Sequence, residues 1–138
     1  MRIMILANSD GGLYKFRREL LEKLLEEHEV MICLPDGDYI ATMVDMGCRF
    51  IPCNMLDRRG TNPVTEIKLV SFYKKILKNY HPDIVFSYTI KPNVYGGMMC
   101  GVLKIPYVCN ITGLGTAVEN PGIMQKITLA LYRIGLKK

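Results

Sequence analysis

Five short apolar runs, each followed by a stretch with the period of an amphipathic helix, constrain this chain more than any other feature of its sequence. The runs are IMILA (3–7), EVMICL (29–34), CRFIP (48–52), DIVFSY (83–88) and PYVCNI (106–111). They are nearly continuous in apolar character rather than alternating, as strands buried on both faces are. Strands that alternate with helices this regularly build a parallel sheet with crossover helices. The expectation is an α/β fold, a Rossmann-like doubly wound parallel sheet in the order 3-2-1-4-5 with helices on both faces.

The intervals carry the helices. Leu13, Phe16, Leu20 and Leu24 repeat at helical spacing, with Lys15, Arg17, Arg18, Glu22 and Lys23 turned away. A second helix is read over 36–47, stopped by Gly47. A third, over 61–80, has Asn62 as N-cap and Pro63 in the first helical position, where a missing N–H costs nothing. A fourth, over 91–104, holds three glycines that weaken it and let it sit close to a strand. The fifth, over 120–138, is basic toward its end.

Composition narrows the class. A chain of 138 residues with 49% apolar and 22% charged residues suits one globular domain. No apolar run approaches the ~18 residues of a membrane-spanning helix. MRIMILANSDGG has too short an apolar core for a signal peptide, so a cytoplasmic location is expected. The five cysteines (Cys33, Cys48, Cys53, Cys100, Cys109) are odd in number, lack CxxC spacing and sit in or beside apolar runs, which reads as reduced, buried thiols. The net charge of +5 suits an anionic ligand, a membrane surface or nucleic acid. Without an RNA-binding aromatic motif, basic repeat or zinc finger, no nucleic-acid partner is expected. His28 and His81 fall at helix ends, and no metal constellation, nucleophile elbow or Ser/His/Asp set stands out, so no metal and no catalytic residue is assigned.

In the order 3-2-1-4-5 the chain reverses between strands 1 and 4, and ligands bind at the carboxyl ends of those strands. ANSDGGLYKFRREL (7–20) puts Gly11 and Gly12 there. They serve either as a tight turn, through backbone angles closed to other residues, or as an opening through which a phosphate reaches a helix N-terminus. The spacing is not GxGxxG, and no Walker lysine follows. Asp36 and Asp38 after strand 2 imitate a ribose-binding acid, which keeps a nucleotide-binding Rossmann module as an alternative. LDRRGTNP (56–63) offers Arg58 and Arg59, as solvated loop charges or as a bidentate diphosphate clamp. SYTIKPNVYGG (87–97) adds Tyr88, Lys91 and Asn93, and NITGLGT (110–116) adds Thr112 and Gly113. A flavodoxin-like signalling module would need an acidic cluster, yet only Asp10 follows strand 1 and strand 3 ends in IPCN.

Taken in order, ILANSDGGLYKFRREL, LPDGDYI, RRGTNP, YTIKPNVYGG and ITGLGTAVEN resemble the amino-terminal half of bacterial family 4 glycosyltransferases of the capsule or lipid-linked oligosaccharide type, over nearly the whole chain. The resemblance implies a GT-B fold of two Rossmann-like domains and a retaining transfer. Residues 1–138 would be the acceptor-side domain, and the domain that binds the nucleotide sugar, with its paired glutamates, would be absent, leaving this chain inactive alone. Gly11 and Gly12 would then lie near the donor diphosphate. Arg58, Arg59, Lys91, Asn93, Thr112 and Gly113 would face the acceptor, a sugar on undecaprenyl diphosphate or a polysaccharide. The nucleotide sugar is a substrate, and no cofactor is implied. A UDP-sugar epimerase of the same fold is the neighbouring alternative. The last helix, with Lys126, Arg133, Lys137 and Lys138 beside its apolar residues, would rest on the sheet or on anionic lipid at the inner face of the cell membrane.

Overall fold

The five apolar runs pair as one parallel sheet in the computed structural model, which describes residues 1–55, 62–112 and 122–136. Strands β1 (Arg2–Leu6), β2 (Glu29–Leu34), β3 (Arg49–Pro52), β4 (Ile84–Tyr88) and β5 (Tyr107–Asn110) lie in the order β3-β2-β1-β4-β5. Ile5 of the central β1 is in register with Ile32 of β2 and Phe86 of β4. Each strand matches its apolar run to within a residue or so at the ends, and the order is the expected one.

Side-chain alternation along β1 divides the core. Ile3 and Ile5 pack with Leu13 and Leu21 of helix α1 (Asp10–Leu25) and with Ile40 and Met43 of α2 (Ile40–Met46). Met4 and Leu6 face the opposite way, toward Leu69, Tyr73 and Leu77 of α3 (Pro63–Tyr80) and Met99 and Cys100 of α4 (Gly97–Leu103). Burying such a side chain contributes about 1.5–3 kcal/mol, so both helix layers are held chiefly by this sorting. Helix α5 (Ile123–Gly135) packs against the segment that opens α4 and against α4 itself, and its Tyr132 is buried.

Several sequence expectations hold. Asn62 caps α3 by accepting the Val64 N–H, and Pro63 is the first helical residue. Gly47 ends α2 at φ 119°, a left-handed conformation that suits glycine. All five cysteines are free, four buried and Cys109 partly so.

Three expectations are corrected. The buried stripe of α1 runs through Leu13 and Leu21, while Phe16 is 77% exposed and Arg17 turns inward. Two stripes fit the helical period from Leu13 onward, and the one that meets β1 and β2 wins. Helix α2 begins at Ile40 rather than 36, because the Asp10 carboxylate accepts the Tyr39 N–H at 2.8 Å and holds residues 36–39 as a loop. Gly37 belongs to that contact, since a Cβ there would stand 2.4 Å from Asp10 Cγ. The fourth helix opens with a π-helical turn, Pro92–Gly96, before α4. That turn presses on the sheet so closely that a Cβ on Gly96 would lie 2.5 Å from Leu6 Cδ1.

Candidate functional site

The carboxyl ends of β1 and β4, the two strands between which the chain order reverses, flank a cleft of about 420 Å³. Its floor comes from the end of β1 (Ala7, Asn8, Ser9), one wall from α1 (Gly12, Phe16, Arg17) and the other from Tyr88, Thr89 and Thr112. The sheet therefore places the GG segment and the residues after β4 on one edge, where a doubly wound fold binds its ligands.

Local chemistry shapes the α1 wall. Ser9 is the N-cap of α1, and its Oγ accepts the Gly12 N–H at 3.2 Å. The Leu13 N–H closes on the Ser9 carbonyl. The N–H groups of Asp10 and Gly11 precede the first intrahelical bond and carry the positive end of the helix dipole. Neither Gly11 nor Gly12 lies at positive φ, so their value is not conformational. A Cβ at Gly12 would meet Ser9 at 3.6 Å, and one at Gly11 would meet the Tyr39 ring at 3.6 Å, both ordinary contacts. What the two glycines provide is an uncovered first turn.

The opposite wall is strained and locked from behind. Thr89 sits at φ 71°, unusual for a β-branched residue, and its hydroxyl donates to the Tyr88 carbonyl. Its own carbonyl accepts the Asn93 N–H at 3.0 Å. Asn93 is wholly buried: its Oδ1 accepts from Ser87 Oγ at 2.7 Å and its Nδ2 donates to the Asn110 carbonyl at 3.0 Å. Asn110 Nδ2 returns a bond to the Ser87 carbonyl at 3.3 Å, closing a loop of polar contacts across β4, β5 and the π turn. Burial pushes the Cys109 thiol up, and the nearby Ser87 hydroxyl partly offsets it. Burial likewise raises the Tyr88 phenol, against the pull of the Arg17 guanidinium.

Of the residues singled out in the sequence, Gly12, Tyr88 and Thr112 line the cleft, and Gly11 adjoins it at the start of α1. Lys91 lies outside the lining and pairs with Glu66 of α3 at 2.7 Å, both side chains mostly covered. Glu66 is in the first turn of α3, where the dipole favours a carboxylate. Among the described residues its Oε2 is buried without a partner. Tyr95 lies close enough that burial first, then Glu66, raises its phenol. Asn93 faces inward with its amide fully engaged. Arg58, Arg59 and Gly113 lie outside the described residues. Among the described residues no three His, Cys, Asp or Glu side chains gather to hold a metal ion.

Sequence reasoning overlooked Ser9, Thr89 and, above all, Arg17, whose guanidinium lies 5.4 Å from the centroid of the Tyr88 ring. The available signal was that Arg17 follows Leu13 by four residues and so shares its face. Asp36, the candidate ribose acid, is exposed and accepts only the N–H of its neighbour Gly37.

Residues 2–138 match the family described as glycosyl transferase 4-like. Over 143 aligned residues the chain is 27% identical to the N,N'-diacetylbacillosaminyl-diphospho-undecaprenol alpha-1,3-N-acetylgalactosaminyltransferase of Campylobacter jejuni subsp. jejuni serotype O:2. That alignment takes in 99% of this chain and 38% of the relative, so the chain spans well under half of the relative's length. Among solved structures, a UDP-GlcNAc 2-epimerase from Neisseria meningitidis superposes with a TM-score of 0.68 at 12% identity, covering 98% of this chain and 38% of that one. MurG of Acinetobacter baumannii superposes with a TM-score of 0.62 at 16% identity, covering 94% and 39%. At such identities these likenesses show the fold alone, the Rossmann-like domain of GT-B proteins.

Proposed function

The chain belongs to the glycosyl transferase 4-like family, and from that premise we propose that it is the acceptor-side half of a retaining glycosyltransferase. The reaction moves a hexosyl or N-acetylhexosaminyl group from a nucleotide sugar to a sugar on a lipid diphosphate or to a polysaccharide. A bond forms between an acceptor oxygen and the anomeric carbon, and the bond from that carbon to the donor diphosphate breaks. The observation that carries the reading is the cleft between the ends of β1 and β4, with Gly12 in its wall and the uncovered first turn of α1 beside it. The Campylobacter relative, whose name places a sugar on diphospho-undecaprenol, supports the choice of acceptor.

In this reading the donor diphosphate approaches Gly11 and Gly12, where the dipole of α1 favours negative charge. Arg58, Arg59, Thr112 and Gly113 serve the acceptor side, while Lys91, which lies outside the cleft lining, pairs with Glu66. Asn93, buried and fully bonded, serves by holding Thr89 and the end of β5 in place. A second domain supplies the nucleotide-binding half, no cofactor takes part, and the 138-residue chain alone is inactive. A lipid-borne acceptor brings the protein to the cytoplasmic face of the membrane. Among the described residues no helix is long and apolar enough to cross one.

Gly12→Val, introduced into the polypeptide that carries this chain, tests the reading. Helical geometry at Gly12 accepts a Cβ in ordinary contact, so the fold survives with a propensity change of at most about 0.5 kcal/mol. The branched side chain fills the phosphate approach, and transfer at saturating acceptor falls by more than about tenfold. Normal transfer by the well-folded variant would reduce the GG segment to a helix start.

A further inference from the structure

The described lining of the cleft carries one charge, the guanidinium of Arg17, and no carboxylate. Three other cations have acidic partners, Arg18 in Glu22, Lys23 in Glu26 and Lys91 in Glu66, whereas Lys15 of the same helix lies over the Tyr39 ring. Among the described residues Arg17 pairs with no carboxylate. It is partly buried, rests over the Tyr88 ring and donates from Nη1 to the Phe16 carbonyl at 3.2 Å. Asp10, at the start of the same helix, is committed to the Tyr39 N–H. A guanidinium held against an aromatic face keeps its remaining N–H donors in one plane, a fork that matches two oxygens of an anion.

We infer that Arg17 is a ligand-contacting residue whose fork grips a diphosphate in this cleft. The geometry supplies three complements. The Tyr88 ring, 5.4 Å from the guanidinium, gives it a neighbour that does not neutralise its charge. The Ser9 hydroxyl, which accepts the Gly12 N–H, still has its own hydrogen to donate. No described carboxylate lines the cleft to repel an anion. Arg17 is thus distinct from Arg18, one residue on, which points away into an exposed pair with Glu22. The inference rests on the transferase reading for the choice of a diphosphate over other anions, since the nucleotide-sugar donor of such a reaction carries one and a lipid-linked acceptor does too.

The test is calorimetric titration of the chain with inorganic diphosphate, comparing the parent with Arg17→Gln, Arg17→Lys and Arg18→Gln. Arg17→Gln should weaken binding roughly tenfold, Arg17→Lys by a smaller factor because charge survives without the fork, and Arg18→Gln hardly at all. Thermal melts of the same samples show that each variant is folded. UDP and a water-soluble prenyl diphosphate then replace the probe, and the one whose affinity depends more on Arg17 identifies the donor or the acceptor as the source. Equal affinity in the parent and Arg17→Gln, an equal loss in Arg18→Gln, or no binding by the parent overturns the inference. Arg17-dependent diphosphate binding in a polypeptide that transfers no sugar would leave this inference standing and remove the transferase reading. Transfer that is indifferent to Arg17 would do the reverse.

Discussion

Ser87 Oγ donates to Asn93 Oδ1 across 2.7 Å in a place where neither side chain reaches solvent. This bond, with the Asn93–Asn110 bond beside it, fixes where β4 hands the chain to the π turn and therefore where Thr89 stands in the cleft. Asn93→Leu keeps the volume and strands these polar groups. It should cost about 1–3 kcal/mol, the penalty of unsatisfied buried groups. Urea denaturation reads it as a lower midpoint at unchanged slope, and an unchanged midpoint would show that the network does not hold the turn.

Two glycines in one helical stretch should respond to alanine in opposite directions. At Gly96 the new methyl would meet Leu6 at 2.5 Å, and Leu6 is itself fully buried, so overpacking should cost about 1–3 kcal/mol. A Cβ on Gly101 would have no described atom outside the helix's own backbone within 4 Å, so alanine should stabilise by about 0.5–1 kcal/mol through helix propensity. Thermal melts of the two variants give the signs, and two shifts of the same sign would contradict the packing described.

The contrast between these glycines marks what the sequence could reveal. Three glycines in 91–104 signalled close packing, but only the folded chain distinguishes Gly96, pressed on β1, from Gly101, open to solvent. The strand order and the cap Asn62–Pro63 were legible because they depend on patterns within a few residues. The placing of Phe16 and Arg17 was not, since the helical period admits two stripes through Leu13 and the sheet selects between them. Asn93 looked like a polar residue available to a ligand. Its burial depends on partners in β4 and β5, 6 and 17 residues away.

Alkaline pH should weaken the fold through its buried thiols. Burial pushes the Cys48 thiol up from an ordinary value of 9.0 to about 11, and burial with Cys109 nearby pushes Cys100 to about 12. In the unfolded chain both ionise near 9, so above that pH the folded state binds more protons than the unfolded one. The stability these thiols confer is complete below about pH 9 and is lost as pH rises through 11 to 12. Urea midpoints should hold level between about pH 7 and 8 and fall steadily above 9. Cys48→Ala should flatten part of that fall, and a slope unchanged by the substitution would assign it to other groups.

Helix α5 exposes Ile123, Ile127 and Ile134 along one stripe, with Lys126 and Arg133 exposed at its edge. If this face meets the membrane that carries the acceptor, the chain should float with anionic vesicles more than with neutral ones. Glutamine at Lys126 and Arg133 together should cut the anionic partitioning by roughly thirtyfold, at about 1 kcal/mol per charge. Equal recovery with both vesicle types would remove electrostatic docking from the account.

The most direct measurement follows a labelled sugar. The polypeptide that carries this chain is incubated with a panel of labelled nucleotide sugars, with and without a sugar linked to a short prenyl diphosphate, and label is counted in the organic extract and in the nucleotide fraction. The account predicts that label passes from one nucleotide sugar to the lipid-linked product only when acceptor is present, and that the 138-residue chain by itself moves none. Label that stays on the nucleotide and reappears as an epimer, whether or not acceptor is added, would contradict it and place the protein with the epimerases that share its fold.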